Sequence, residues 1–288
     1  MTKIILLGSS GFIGRPLLQK LLEEKFKVKY LIHDTEIDPK GDFFRGDILN
    51  HTLLDDIIMD DDIVINLIGQ VDEPFELIND NVLGSINILN SCIKKKRIHI
   101  IFASSISVYG ENLENASKEN DLPKPQTTYG LIKLITEKIY EHYSRIFGLD
   151  ITILRFSTLY GPYKKSGFII KLINSLKTNK INVVFNNGQQ IRDLLFVNDA
   201  VLGIIQAIKK PQKGFIIFNI SSGIQYTINE IINTIEKISN KKLPIQLNSM
   251  IPDERCLFAN NSKARNLLDF KPKIDVETGL KITLDLLD

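Results

Sequence analysis

Apolar positions along the first half of the chain follow two spacings that alternate. Short, nearly continuous apolar runs rich in β-formers predict buried parallel strands. These runs lie at 3–7, 27–32, 42–48, 63–69, 99–103 and 151–156. Apolar residues spaced three and four apart predict helices between them, at 16–22, 81–93 and 130–147. This alternation predicts an α/β fold, a doubly wound parallel sheet with right-handed crossovers.

The regular alternation of predicted strands and helices ends past Gly161 and Pro162. They are helices at 168–178 and 227–239 (N-cap Thr227), strands at 182–185 and 215–220, a strand end running into a helix over 193–209, and two short helices within 260–288. No linker separates the two halves. We therefore expect residues 1–165 to form one domain, its sheet completed by parts of 192–220. Residues 166–288 are expected to form mainly a smaller, interleaved part.

Composition narrows the function classes. The 288 residues carry a net charge of +2, which gives no reason to expect nucleic acid or a membrane surface as a partner. No apolar stretch is long enough to span a bilayer, and the N-terminus begins with a predicted strand instead of a signal peptide. Cys92 and Cys256 are isolated thiols, as expected in a reduced cytoplasm. The four histidines lack metal-ligand spacing, so we expect no metal.

A glycine-rich turn joins the first predicted strand to the first predicted helix. It spans residues 8–14 with the spacing G-x-x-G-x-x-G. Such a turn lets the backbone approach a diphosphate closely and aims free N–H groups of the helix end at the anion. Three glycines alone are weak evidence, because glycines also make ordinary turns. The position between a strand and a helix at the N-terminus favours a dinucleotide site.

The end of the second predicted strand bears on the choice of dinucleotide. A carboxylate there binds the adenosine ribose and favours NAD. Here Asp34 follows His33, so two alternatives stay open. Asp34 is either the ribose ligand or a plain turn residue, and His33 stands where phosphate-preferring proteins carry a cation. NAD is the expected cofactor, and NADP is not excluded.

Two Tyr-x-x-x-Lys pairs occur, Tyr129/Lys133 and Tyr160/Lys164, and about one is expected by chance. Tyr129 and Lys133 open a predicted helix, where residues four apart share one face. Tyr160 is followed by Gly161-Pro162, which argues against a helix. Only the first pair is expected to act as a unit.

Ser105, Tyr129 and Lys133 together suit acid–base catalysis on a secondary alcohol. Oxidation moves a hydride to a nicotinamide and a proton from oxygen to a base. Lowering the pKa of a tyrosine from about 10 to about 7 needs about 4 kcal/mol, which a nearby ammonium and a positive nicotinamide would provide. Ser105 ends a predicted parallel strand, at the sheet edge where ligands bind. The alternative is an ordinary helix surface beside a serine-rich loop.

These motifs together resemble the extended short-chain dehydrogenase/reductases, specifically the NAD-dependent epimerase/dehydratase group that acts on nucleotide sugars. The resemblance covers nearly the whole chain. The matching segments are 8–14, 46–48, 81–89, 102–110, 129–133, 154–162, 188–193 and 197–199.

The resemblance implies a Rossmann-type NAD(P)-binding domain over 1–165, a substrate-binding part within 166–288, and a nucleotide-diphosphate sugar as substrate. The implied catalytic residues are Ser105, Tyr129 and Lys133. The implied cofactor-binding residues are Gly8, Ser10, Gly11, Phe12, Ile13, Gly14, His33, Asp34, Asp47, Ile48, Leu67, Ile68, Gly69, Asn81, Tyr129 and Lys133. The implied substrate-binding residues are Ser105, Ser107, Tyr129, Thr158, Arg192 and Arg255.

Departures from the family pattern bear on the activity and on sugar recognition, and one of them is a C-terminal part that is expected to be short for the family. No acid follows Ser105, although sugar dehydratases and related decarboxylases usually carry one there to remove the C5 proton. Thr158 stands where the family usually has an asparagine that contacts substrate. The resulting hypothesis is a nucleotide-sugar 4-epimerase. Its rivals are an NAD(P)H-dependent 4-ketoreductase of a nucleotide-linked deoxy sugar and a non-catalytic dinucleotide sensor.

The resemblance also implies a homodimer, formed through helices near 82–95 and 130–147. Apolar positions on the second helix would serve such an interface: Leu131, Leu134, Ile135 and Ile139. The same positions suit packing inside one subunit, and we expect most of them to be ordinary core.

Overall fold

The computed structural model describes residues 3–33, 41–69, 78–111, 115–250 and 256–286. Its strands are β1 (Lys3–Leu7), β2 (Lys27–Ile32), β3 (Asp42–Arg45), β4 (Ile63–Asn66), β5 (His99–Ser105), β6 (Asp150–Phe156), β7 (Thr158–Tyr160), β8 (Asn182–Val184), β9 (Ile191–Phe196), β10 (Phe215–Ile220), β11 (Gln225–Thr227), β12 (Ile245–Leu247) and β13 (Cys256–Leu257). Its α-helices are α1 (Gly14–Glu23), α2 (His51–Ile57), α3 (Gly84–Cys92), α4 (Thr128–Phe147), α5 (Phe168–Thr178), α6 (Val197–Lys209), α7 (Ile228–Ser239), α8 (Ser262–Leu268) and α9 (Val276–Asp285).

Seven parallel strands form the main sheet, in the order β10-β6-β5-β4-β1-β2-β3. Alternate residues of β1 enter two different cores: Ile4 and Leu6 lie in one, and Ile5 and Leu7 in the other. Helices α1 and α6 cover the first face, and α2, α3 and α4 cover the second. The predicted doubly wound parallel sheet is therefore confirmed.

Several predicted boundaries in this half differ from the structure, and the strand predicted at 42–48 already ends at Arg45. Strand β4 ends at Asn66, because the Asn66 side-chain oxygen accepts a hydrogen bond from the Ile68 N–H at 3.0 Å and turns the chain. The predicted helix at 81–93 consists of two elements, a π-helical segment (Ile78–Leu83) that leads into α3.

A second sheet lies beside the carboxyl edge of the first. Strand β9 is its centre and pairs with β7, β11 and β13. The connection between the sheets is short, since Phe156 of β6 pairs with Ser105 in the main sheet and Thr158 of β7 pairs with Leu194 in the second. Strand β10 then returns to the edge of the main sheet, so the C-terminal segments are interleaved with it.

The apolar positions of α4 are distributed differently from the expectation. Leu131 and Ile135 are 47% and 41% exposed, and Leu134 and Ile139 are half-buried. The prediction that most of the four are ordinary core is therefore wrong. The interior face of α4 carries other residues, among them Tyr140, Lys133 and Glu137.

A buried ion pair joins α4 to β6 behind the carboxyl end of β5. The Arg155 guanidinium donates to both carboxylate oxygens of Glu137, at 2.9 and 2.6 Å, and both side chains are nearly inaccessible to solvent. The Ser104 hydroxyl donates to the same carboxylate, and the Arg155 guanidinium lies 4.6 Å from the centroid of the Tyr109 ring. The pair thereby fixes the backbone residue that precedes Ser105.

Substitution of Arg155 by methionine is expected to lower the free energy of unfolding by about 3 kcal/mol or more, because it leaves the Glu137 charge buried without its partner. A matched control is Glu277→Gln, which breaks the exposed Lys237–Glu277 pair and should cost at most about 1 kcal/mol. Urea unfolding of both variants measures the difference. Equal losses for the two would contradict this account of the buried pair.

Candidate active site

The glycine turn packs the start of α1 directly against the end of β1. Gly8 has a φ of +86°, a conformation that side chains disfavour, and its carbonyl accepts a hydrogen bond from the Gly11 N–H at 3.1 Å. A Cβ on Gly14 would lie 2.0 Å from the Gly8 oxygen. The Ser9 hydroxyl donates to the Leu31 carbonyl and ties the turn to β2. The turn thus sits where the strand order reverses beside β1, the position at which such sheets bind ligands.

Residues 67–69 lie in space between this turn and the first turns of α4. A Cβ on Gly8 would lie 3.1 Å from the backbone of both Leu67 and Ile68. A Cβ on Gly69 would lie 2.7 Å from both the Asn81 side-chain oxygen and the Lys133 ammonium. Gly69, Asn81 and Lys133, all predicted cofactor residues, therefore meet at a place where a side chain on residue 69 would collide with the other two. An amide oxygen and an ammonium at this place suit the hydroxyl groups of a ribose, and the bare backbone suits a diphosphate, so the residues fit a dinucleotide.

The predicted adenosine end lies at the ends of β2 and β3. The His33 Nε2 is 3.4 Å from a carboxylate oxygen of Asp47, whose other oxygen accepts the Leu49 N–H at 2.8 Å. Ile48 is buried and contacts α3 at Gly84. Asp34 lies outside the described residues, so its part in cofactor choice stays a prediction.

Helix α4 places Tyr129 and Lys133 one turn apart beside Ser105. The Thr127 hydroxyl caps the helix by accepting the Gly130 N–H at 3.1 Å. A Cβ on Gly130 would lie 2.5 Å from the Ser107 carbonyl oxygen, so the glycine allows the helix start to touch the turn after β5. The Ser105 hydroxyl accepts the Ser107 N–H at 3.1 Å and lies close enough to the Tyr129 phenol to favour its ionised form. The structure therefore brings the three predicted catalytic residues together.

Burial dominates the electrostatics of this cluster. It raises the pKa of Tyr129 to about 12, although the hydrogen bond from Ser105 acts in the opposite direction. Burial lowers the pKa of Lys133 to about 7, and the Glu137 carboxylate opposes this shift. The Lys133 ammonium donates to the Ala103 carbonyl at 3.0 Å and lies 6.0 Å from the centroid of the Tyr129 ring. The expected lowering of the Tyr129 pKa is thus not produced by the residues of this chain alone.

The predicted substrate residues lie around the same edge of the sheet. Ser107 lies two residues after Ser105, and Thr158 begins β7. Arg192 is on β9, two residues before Leu194, the partner of Thr158, and its guanidinium donates to the Ile191 carbonyl. Arg255 lies outside the described residues. The substrate roles of these four residues stay predictions.

Sequence reasoning missed the residues behind the cluster. Glu137 lies one helical turn beyond Lys133, and Ser104 directly precedes Ser105. The spacing of four between Lys133 and Glu137 is a signal that could have shown the first of them. The contribution of Arg155 depends on the pairing of β5 with β6 and has no local signal.

Within the described ranges, no group of three or more His, Cys, Asp or Glu residues is placed to hold a metal ion. Of the helices in the same ranges, none is both long and apolar enough to cross a bilayer.

Substitution of Gly69 by alanine is expected to weaken dinucleotide binding about tenfold or more, because the new methyl group displaces the Lys133 ammonium and the Asn81 amide. Isothermal titration with NAD measures the effect. The control is Gly148→Ala at the opposite end of α4, where a Cβ would meet nothing within 4 Å and the φ of +70° confines the strain to the helix end away from the cleft. Unchanged affinity in Gly69→Ala would show that this place is not part of the cofactor site.

Comparisons with known proteins agree with this geometry. The family model described as "NAD dependent epimerase/dehydratase family" matches residues 4–221. UDP-glucuronate 4-epimerase of Thermodesulfobacterium geofontis is 27% identical, over 96% of this chain and 94% of its own length.

Two solved structures are similar over the whole chain. UDP-glucuronic acid 4-epimerase from Bacillus cereus, in complex with UDP-glucuronic acid and NAD, is 29% identical with a TM-score of 0.88, and the match covers 99% of both chains. UDP-glucose 4-epimerase from Thermotoga maritima, with UDP-glucose, is 26% identical with a TM-score of 0.85, over 99% of this chain and 98% of that one. The chain therefore belongs to the NAD-dependent epimerase/dehydratase family, the extended short-chain dehydrogenase/reductase enzymes that the sequence motifs resemble.

Proposed function

We propose that this chain is an NAD-dependent 4-epimerase of a nucleoside-diphosphate sugar, acting through a transient 4-keto sugar. The observation that carries the proposal is the Ser105–Tyr129–Lys133 cluster, which shares one sheet edge with the glycine turn. The relatives described above support it, since one is a UDP-glucuronate 4-epimerase and another is a 4-epimerase solved with UDP-glucose.

Each member of the cluster has a distinct task in this reaction. Tyr129 accepts the proton of the C4 hydroxyl and returns it to the same oxygen after the 4-keto sugar has turned its opposite face towards the cofactor. Ser105 donates a hydrogen bond that favours the phenolate. Lys133 stays close to Gly69 and Asn81, where it holds the ribose hydroxyls. Bound NAD would supply the acceptor and donor of the C4 hydride, and the positive charge of its ring would lower the pKa of Tyr129 from its buried value.

The turn after Ser105 favours epimerisation over dehydration. It contains Ile106, Ser107 and Val108, of which the two apolar residues are buried. Removal of a C5 proton needs a base at the sugar, and this turn presents only a hydroxyl there. The substrate is accordingly expected to keep all its carbon substituents and change only in configuration at C4.

A 4-ketoreductase would use the same residues, with Tyr129 as proton donor to the ketone. The two activities differ in the fate of the cofactor. An epimerase regenerates it in each cycle and can retain it, whereas a reductase must exchange it. The His33–Asp47 pair leaves the choice of NAD or NADP open to experiment.

The purified protein is expected to release near-stoichiometric NAD when denatured. Without added cofactor it should interconvert the C4 epimers of UDP-glucuronate or UDP-glucose, measured by chromatography of the nucleotide sugars. Tyr129→Phe should lower the rate by about a hundredfold to ten-thousandfold, because the proton acceptor is lost.

Tyr163→Phe is the control, since Tyr163 is 67% exposed and lies outside the cluster. Undiminished turnover in Tyr129→Phe would contradict both enzymatic hypotheses. A protein that is purified empty and prefers NADPH in a titration would favour the ketoreductase.

We further propose a homodimer formed through α3 and α4. An apolar groove of about 550 Å³ follows these helices, lined by Ile86, Leu134, Ile135, Lys138, Ile139, His142 and Tyr143. Leu131 is also exposed beside the groove. Contact of this apolar surface with water is unfavourable, and a second copy of the chain would bury it. The groove lies on the face of the main sheet opposite α1.

Ile135→Asp is expected to convert the dimer to a monomer, because it places a carboxylate in the groove. Sedimentation velocity at micromolar concentration measures the state. Leu22→Asp on α1 is the matched control, since Leu22 is 42% exposed and Ile135 is 41% exposed, and it should leave the dimer intact. A monomeric wild-type protein, or a dimeric Ile135→Asp variant, would refute this interface.

A further inference from the structure

The segment after β7 carries a lysine to the edge of the glycine turn. Lys164 is half-buried, and its ammonium donates to the Leu159 carbonyl at 2.5 Å. The same ammonium lies 5.3 Å from the centroid of the Phe12 ring, and Phe12 is the fifth residue of the turn. Lys164 is the residue of the second Tyr-x-x-x-Lys pair, which has no role in acid–base chemistry because Tyr160 and Lys164 are not on a helix.

Lys164 has no anionic partner within the described part of the chain. No Asp or Glu carboxylate in the described ranges lies within ion-pair distance of the Lys164 ammonium. Burial lowers the pKa of Lys164 to about 8, and no neighbouring charge contributes to this shift. Lys133, the other buried lysine of the site, differs in this respect, since the Glu137 carboxylate supports its charge.

The starts of two helices add partial positive charge to the surroundings of Lys164. Two helices begin close in the chain to residues that lie near Lys164: α1 starts two residues after Phe12, and α5 starts next to Gly167. A Cβ on Gly167 would lie 3.4 Å from the Lys164 Cε. The N-terminus of a helix carries a partial positive charge and free N–H groups. A partly desolvated ammonium near such helix starts, which in the described ranges contacts only a carbonyl and an aromatic ring, is stabilised by a bound anion.

We propose that Lys164 is the cation of an anion subsite at the edge of the glycine turn, which binds a negatively charged oxygen of a ligand in the cleft. This inference rests on the proposed function only for the identity of the two ligands, NAD and a nucleotide sugar. Both offer the required chemistry, as phosphate oxygens or as a sugar carboxylate. The dinucleotide diphosphate is the expected source, because Phe12 belongs to the turn that receives it.

Binding measurements test this subsite independently of turnover. Protein freed of nucleotide is titrated calorimetrically with NAD, with UDP, and with UDP-glucuronate against UDP-glucose. Lys164→Met should weaken the binding of NAD about tenfold to a hundredfold, as expected for loss of a charge-assisted hydrogen bond. Lys164→Arg should stay within about threefold of the wild type. The dissociation constant of the wild type should rise more steeply with salt than that of Lys164→Met.

Lys165→Met is the matched control, because it removes the same charge from the exposed neighbouring residue. Lys164→Gln provides a second neutral variant, and thermal unfolding shows that each variant is folded. A loss confined to UDP, or to the preference for UDP-glucuronate, supports the subsite and assigns its anion to the sugar nucleotide. Equal affinities of wild type, Lys164→Met and Lys164→Gln for every ligand, or equal losses in Lys164→Met and Lys165→Met, would overturn it.

Discussion

The contact between the start of α4 and the turn after β5 is the constraint on which the site depends. Gly130 approaches the Ser107 carbonyl so closely that any side chain would collide with it. This approach sets the depth of the whole helix, so that residues at intervals of four meet successive parts of β5. Tyr129 reaches Ser105, Lys133 reaches the Ala103 carbonyl, and Glu137 reaches Ser104. One helical face thereby aligns the catalytic cluster.

The Ser105–Tyr129–Lys133 cluster needs charged groups of a bound ligand to reach pKa values that suit proton transfer. Burial holds the Tyr129 phenol protonated and makes the Lys133 ammonium easier to deprotonate, so neither is poised for proton transfer in the chain by itself. A positive ring beside Tyr129 would lower the pKa of its phenol, and anionic groups beside Lys133 and Lys164 would raise the pKa of each ammonium. In the proposed reaction, acid–base catalysis therefore depends on occupancy of the cleft. The buried Glu137–Arg155 pair keeps the supporting backbone fixed meanwhile.

Features with a local cause were predictable from the sequence. The glycine turn, the Tyr129/Lys133 spacing and the Thr227 capping box each depend on residues within a few positions of one another. Features set by contacts between distant segments were not. Nothing near Lys164 in the chain indicates that Phe12 lies over its ammonium, and periodicity alone could not tell that Leu131 and Ile135 face outward while Lys133 faces inward. Asn66 ends β4 through its own side chain, which an apolar run does not reveal.

In the proposed reaction, one cofactor removes and returns the same hydride at C4. The most direct measurement uses a UDP-sugar that carries deuterium at C4, incubated with the purified protein in ordinary water without added cofactor. The account predicts that the C4 epimer forms with its deuterium retained, as seen by mass spectrometry and NMR. Loss of the label from the epimer, or formation of a product only when a reduced dinucleotide is supplied, would contradict it.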